Sequence, residues 1–248
     1  MKVTVITVSY NSAETIVDTL RSVRAQTHAN LQHIVIDGGS TDGTLDLVRE
    51  HGAHVSHLVS ERDDGIYDAM NKGLALCTGT FVGFLNADDV YADENVVSMI
   101  AAAARPEIDA VYGDLVYVDR LDPAKVFRYW RSGRFSSARL RRGWMPPHPT
   151  LYVRASRLPE SGGFDTQFRI AADYDFVLRY LGIPGLRTAY LEHVLVRMRL
   201  GGISNRSPLS VLKKSREDLR AIRKNGIGGL PTLFMKNARK IPQLLFKP

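Results

Sequence analysis

Within its first 105 residues the chain alternates apolar, β-branched runs with segments whose apolar residues recur at helical spacing. KVTVITVSY (2–10), LQHIVID (31–37), HVSHLVSE (54–61) and TFVGFLNADD (80–89) read as strands. AETIVDTLRSVRAQ (13–26), GTLDLVREHG (43–52) and GIYDAMNKGLALCTG (65–79) read as helices, the last closing on Gly79 as its C-cap, and 95–105 reads as a fourth. Such alternation predicts an α/β fold with a mostly parallel central sheet flanked by helices. In sheets of that kind ligands bind beyond the carboxyl ends of the strands. Each strand here ends in a polar cluster: SYN (9–11), DGGSTDG (37–43), ERDDG (61–65) and NADD (86–89). The four clusters are therefore expected to line one crevice.

From about residue 106 the pattern changes. DAVYGDLVYVDR (109–120), AKVFRYW (124–130), TLYVR (150–154) and LRTAYLEHVLVRMRL (186–200) read as strands, and ADYDFVLRYLGI (172–183) as a helix. The basic, Pro-containing stretch 131–149 is long enough to suggest a lid or binding loop.

Charge is unevenly placed. Residues 206–248 hold eleven Lys and Arg against Glu217 and Asp218, a net of +9, so the +7 of the whole chain leaves 1–205 at −2. Basicity confined to a tail argues against a body built to bind nucleic acid. A lone Cys77 excludes an internal disulfide, no Cys/His cluster has zinc-site spacing, and no run approaches the ~18 apolar residues of a spanning helix. The apolar start VTVITV is too short for a secretory h-region, so a cytoplasmic location is expected.

Three constellations carry candidate chemistry. Asp88 and Asp89 follow an apolar strand directly; they repel each other, and either is costly to bury unpaired. Asp89 or Asp93 as a helix cap is one reading, and Mg²⁺ or Mn²⁺ held by one or two carboxylates is the other. In DGGSTDGT (37–44) neither a GxGxxG nor a P-loop is present; Thr41 or Asp42 suits a helix cap, and Asp37 stands at the strand end, where it suits a base N–H or a ribose hydroxyl. Asp173 and Asp175 are spaced i, i+2 and do not share a helix face. One suits the crevice as a general base after apolar Ile170, Ala171 and Ala172, the other a pair with Arg179; an ordinary N-terminal helix acid is the competing reading.

In order and spacing TVSYN, IDGGSTDGT, ERDDGIYDAMNKG, FLNADD, YGD and AADYDFVLR resemble the bacterial family 2 glycosyltransferases of the exopolysaccharide and glycolipid type, over about residues 2–205. The resemblance implies a GT-A fold, Rossmann-like in its sheet, and an enzyme that transfers a sugar from a nucleotide-sugar donor with inversion to a glycan or lipid-linked acceptor. It implies a nucleotide-binding half (1–105) and an acceptor half (106–205). Val8, Tyr10, Asn11, Asp37 and Asp63 would hold the nucleoside, with Asn71 and Lys72 close by. NADD stands where the family places its DxD metal motif: Asp89 would ligate the divalent metal, and Asn86 and Asp88 would face the ribose or diphosphate. Asn86 departs from a literal DxD. Asp173 would be the catalytic base, with Ala172 in place of the usual Glu before it. His148 would touch the acceptor or the diphosphate, or be structural; Trp144 would stack on a sugar or sit in the core; Arg199 and the glycines of RLGGISN (199–205) would close over the donor phosphates.

The tail 206–248 reads as basic amphipathic helix, with Leu209, Leu212, Leu219 and Ile222 on one stripe. It suits an anionic membrane face or packing on the catalytic domain. A nucleotidyltransferase is the neighbouring alternative, and a nucleic-acid binder working through the tail the distant one; no nucleic-acid partner is expected.

Overall fold

The computed structural model describes residues 1–201 and 208–239. In chain order the elements are β1 (Val3–Ser9), α1 (Ile16–Arg24), β2 (Leu31–Asp37), α2 (Thr44–His51), β3 (Val55–Ser60), α3 (Ile66–Ala75), β4 (Phe81–Phe84), β5 (Val90–Tyr91) and α4 (Val96–Ala103). There follow β6 (Ala110–Val118), β7 (Val126–Trp130), α5 (Ser137–Arg141), β8 (Tyr152–Arg154), α6 (Leu158–Ser161), α7 (Ala172–Leu181), β9 (Thr188–Arg199), α8 (Pro208–Lys224) and α9 (Leu230–Ala238).

The strands form one sheet in the order β3-β2-β1-β4-β8-β6-β9-β5, with β7 on β6. β3-β2-β1-β4 are parallel, as βαβ connections require, and so is β6 with β9; β8, β7 and β5 pair antiparallel. The sheet is thus mixed, and it runs without a break through both halves of the chain. Alternation along β1 sorts the core into two layers. Val3 and Val5 face Val96, Val97 and Ile100 of α4, while Ile6 and Val8 face α3 and the aromatic α7. Val35 meets α1 and α2 through Ile16, Leu20 and Val48.

Two local expectations are corrected. α3 stops at Ala75, and Gly79 serves the turn into β4 instead of a helix cap: its N–H donates to Thr4 Oγ1 at 2.9 Å, and a Cβ there would stand 2.7 Å from Thr4 N. The stretch 131–149 is no lid. It contains α5 and then buries Trp144 and His148 against β4, β6 and α7, because its aromatic and proline residues find apolar partners there.

α8 and α9 pack on the domain. Ala221 and Ile222 enter the same core as α7, Lys224 pairs with Asp165 at 2.8 Å, and Asn225 donates to Asp175 at 2.9 Å. Leu212 of the expected stripe is instead 57% exposed, and the side chain of Leu209 lies outside the described ones. No helix among the described residues is long and apolar enough to cross a membrane.

Candidate active site

The ends of β1, β2 and β3 converge on Asp37. Its carboxylate is fully buried and accepts from Ser9 Oγ (3.2 Å), Ser40 Oγ (2.5 Å), Ser40 N (3.0 Å) and Ser60 Oγ (2.7 Å). Burial would raise its pKa, but the bonds from Ser40, Ser60 and Ser9 outweigh that and hold it below the usual carboxylate range. With both oxygens engaged, Asp37 locks three strand ends together. It presents no carboxylate to a ligand, contrary to expectation.

Asn11 follows β1 in the left-handed region (φ 48°), a conformation Asn tolerates. Its N–H donates to Ser40 Oγ and its Oδ1 accepts from Thr41 N, which ties SYN to the glycine turn. Asp42 receives the N–H and hydroxyl of Thr44 and the N–H of Ala13, so it organises the start of α2 from one residue before the cap. Tyr10 is 65% exposed beside this turn, whereas Val8 is buried with its C=O bonded to Ala87 N. Asp63 lies against Gly38: a Cβ on Gly38 would stand 2.5 Å from Asp63 Oδ2. The missing side chain makes room for that carboxylate at the mouth of the crevice.

Asn71 and Lys72 have other tasks. The Asn71 amide bonds the backbone of Phe164 in both directions, at 2.8 and 2.9 Å, and clamps a segment 93 residues away onto α3. Lys72 pairs with Glu61 at 2.8 Å and donates to Arg62 O, holding the ERDDG turn. Both were expected close to the nucleoside; the bonds they make here are to the protein itself.

At the end of β4 the polar groups are under-served. Asn86 Oδ1 and both oxygens of Asp89 are buried without a hydrogen-bond partner. Asp89 is 1% exposed; burial, and after it the Asp88 carboxylate, push its pKa well above the usual range, against the pull of Asn86 and Arg199. Asp88 is partly exposed, and burial raises it too, opposed by Arg199 and Arg120. Asp88 is thus the more accessible of the two, and Asp89 is buried next to it. Three bare oxygen acceptors beside a second carboxylate fit a hard divalent cation. No group of three or more His, Cys, Asp or Glu able to hold a metal occurs among the described residues, so two carboxylates and the Asn86 amide are what the chain offers. Arg199 is 4% exposed; it donates to Asp88 O at 3.2 Å and pairs with Asp18 at 2.6 Å, and so fixes the turn from β9. The glycine loop that follows lies, from Gly202 onward, outside the described residues.

Asp173 opens α7 and is partly exposed. Tyr67 Oη donates to Ile170 O at 2.8 Å and reaches Asp173 Oδ1 at 3.4 Å. Burial is the chief cause of the raised pKa of the Tyr117 hydroxyl, and against the pull of Arg128 the charges of both Asp89 and Asp173 add to it, so the two carboxylates act on one neighbourhood, one from beyond β4 and the other from the start of α7. Asp175 is fully buried and paired with Arg179 at 2.8 Å, as its i+4 spacing predicts. His148 is 7% exposed and stacks on Phe84, with its Nε2 unpartnered; burial lowers its pKa while Asp173 raises it. Trp144 is in the core, its indole N–H on Ser132 O at 2.7 Å, and offers no face to a sugar. Sequence reasoning missed Tyr67, Tyr117 and Arg120. All three lie inside or beside the quoted motifs, but nothing in one-dimensional spacing marks a side chain as a neighbour of carboxylates distant along the chain.

The parallel strand ends thus gather carboxylates and turn amides along one edge of an α/β sheet. The sequence profile of Glycosyl transferase family 2 matches residues 4–165. A PGL/p-HBAD biosynthesis glycosyltransferase of Mycobacterium tuberculosis is 34% identical over 193 residues, covering 75% of this chain and 72% of its own. Mannosyltransferase PcManGT from Pyrobaculum calidifontis, solved with GDP-Man and Mn²⁺, superposes with a TM-score of 0.67 at 21% identity over 96% of this chain and 68% of its own. S. aureus TarS 1–349, solved with UDP-GlcNAc, gives 0.67 at 19% identity over 92% of this chain and 66% of its own; the chain spans 40% of the longer S. aureus TarS chain. The chain belongs to glycosyl transferase family 2, with the GT-A fold of these neighbours, and is a glycosyltransferase.

Proposed function

We propose that the chain is an inverting glycosyltransferase that moves a sugar from a nucleotide-sugar donor to a hydroxyl of a glycan or lipid-linked acceptor, in a catalytic unit over 1–205. The unpartnered oxygens of Asn86 and Asp89, buried at the strand end behind Asp88, carry this reading. Asn86, Asp88 and Asp89 would hold Mg²⁺ or Mn²⁺, with Asp88 the first to be reached. When bound, the cation supplies charge stabilisation for the departing diphosphate. Tyr10, Asn11 and Asp63 would line the nucleoside, on a turn that Asp37 and Lys72 hold in shape. Asp173 takes the proton of the acceptor hydroxyl; that oxygen bonds to the anomeric carbon from the face opposite the diphosphate, and the sugar–phosphate bond breaks with its electron pair leaving on the nucleoside diphosphate. His148, bare at Nε2 and within the field of Asp173, would border the acceptor. The donors named in the solved neighbours support a nucleotide-sugar, and the glycolipid relatives support a lipid-linked acceptor.

The test is a thermal-shift series with UDP, GDP and dTDP, each with and without Mn²⁺, on wild type and Asp89→Asn. Ligand binding to the folded state raises the midpoint by mass action. A metal-dependent rise for one nucleotide, lost in the variant, is expected; no rise with any nucleotide would sink the reading.

Val211 (51% exposed), Leu212 (57%), Leu230 (61%) and Phe234 (75%) leave apolar surface on α8 and α9 beside exposed Lys213 and Arg216. This combination supports peripheral contact with an anionic membrane face. Co-flotation with phosphatidylglycerol vesicles, weakened by salt and by Phe234→Ala, is expected; equal flotation with neutral vesicles would count against it.

A further inference from the structure

The helix that carries Asp173 lacks a cap of its own. Its N-cap position is Ala171, with no side-chain hydrogen bond, and the sequence leading in, Arg169-Ile170-Ala171, has no Ser, Thr, Asn or Asp to accept the first amides. The three amides that lead into the helix, those of residues 169–171, find their acceptor on α8, more than forty residues on. Glu217 Oε1 accepts from Arg169 N at 3.2 Å, and Oε2 from Ile170 N at 2.8 Å and Ala171 N at 2.9 Å. The opposite side of the same stretch is held by Tyr67, which donates to Ile170 O. Backbone donors and acceptor are thus taken up from two directions within four residues of Asp173.

The rest of α8 keeps Glu217 in register. Lys224 and Asn225 bond Asp175, one turn along α7 on its buried side. Next to Glu217, Asp218 pairs with Lys236 of α9 at 2.6 Å, both buried, over the ring of Tyr174. Two turns of α8 therefore engage α7 through charges at residues flanking Asp173, a heavy investment of buried polar groups for a helix only ten residues long.

We propose that Glu217 is a positioning residue for sugar transfer: through three backbone amides it sets the place of Asp173, and the C-terminal helix pair is part of the catalytic machinery's support. This rests on the reading of Asp173 as the general base. A proton acceptor displaced by about 1 Å costs on the order of a hundredfold in rate. Donor binding, by contrast, depends on β1–β4 and their turns, which Glu217 does not touch. Loss of Glu217 should therefore lower kcat and leave the donor KM where it was.

Full-length Glu217→Ala, Glu217→Gln and Asp173→Asn are compared with wild type, well below their unfolding temperatures. The donor is a nucleotide-sugar of the nucleotide that gives the largest thermal shift, water is the acceptor hydroxyl, and the readout is release of nucleoside diphosphate with the free sugar. In parallel, hydrogen exchange is followed at the amides of 169–175. Glu217→Ala is expected to lower kcat by roughly tenfold to a hundredfold with donor KM unchanged, and to speed exchange at these amides by about tenfold. Glu217→Gln keeps an acceptor oxygen for Ile170 and Ala171 and should recover most of both. Should Glu217→Ala not fold, the Gln variant carries the test through a smaller fall in kcat with the exchange change confined to Arg169. Wild-type kcat in the folded Glu217 variants beside an inactive Asp173→Asn overturns the positioning role alone. Wild-type kcat in Asp173→Asn overturns the base reading and this one with it. A rise in donor KM equal to the fall in kcat, or unchanged exchange at 169–171, also overturns it.

Discussion

Asp89 is 1% exposed with both carboxylate oxygens unpartnered, so its burial in the ligand-free protein costs stability that only a cation or a proton can return. Asp89→Asn removes the charge, and the new amide can donate to Asn86 Oδ1, itself bare. The variant should therefore be as stable as wild type or more so, by about 1–3 kcal/mol, when no nucleotide or metal is present. A drop in its ligand-free denaturation midpoint would mean that Asp89 has a structural partner. Asp37 shows the opposite economy: four donors satisfy a carboxylate that is just as deeply buried. Both are strand-end aspartates, and in the sequence nothing separates them. What separates them is the supply of donors, three serine hydroxyls on one carboxylate and none on the other.

Among the elements, the first four strands and the helices between them lie within one to three residues of the expected bounds, except that α3 ends four residues early and β4 closes at Phe84. Alternating and 3.6-residue patterns are local and survive in one dimension. The segments whose meaning was altered are those settled by partners far along the chain. Stretch 131–149 looks polar and loose, yet its second half is buried because Phe84, Tyr112 and Phe164 offer rings to His148 and Trp144. Asn71 sits in a motif of the first 105 residues but spends its amide on Phe164. Asn71→Ala should cost about 1–3 kcal/mol in stability for two buried hydrogen bonds, with nucleotide affinity unchanged within twofold. Denaturant titration and nucleotide titration on the same preparation separate the two effects, and a tenfold loss of affinity in a stable variant would restore Asn71 to the donor site.

Across the whole molecule, one sheet carries both halves, and the basic tail spends part of its charge on the domain. Far from the crevice, His33 of β2 is buried against His54 and Thr7. Burial, then the charge of His54, lowers its pKa from 6.5 to about 3. A depressed histidine keeps its full contribution to stability above 6.5. As pH falls from there toward about 3, the unfolded chain takes up the proton first and stability is lost, by at most about 1.4 kcal/mol per pH unit. Urea midpoints at pH 7.5, 6.5 and 5.5 should fall progressively in wild type and stay flatter in His33→Gln; parallel profiles would remove His33 as the cause. By itself the sequence determined the strand–helix alternation, the gathering of polar clusters at the parallel strand ends and the family, since periodicity and motif order are properties of the chain read in line. Only the tertiary structure decided which carboxylates are satisfied and which are bare, that Asp88 opens and Asp89 does not, and that Glu217 holds the amides leading into α7. Those outcomes depend on hydrogen-bond partners tens of residues distant, and in a packed interior it is the partner, more than the residue type, that sets what a polar side chain can do.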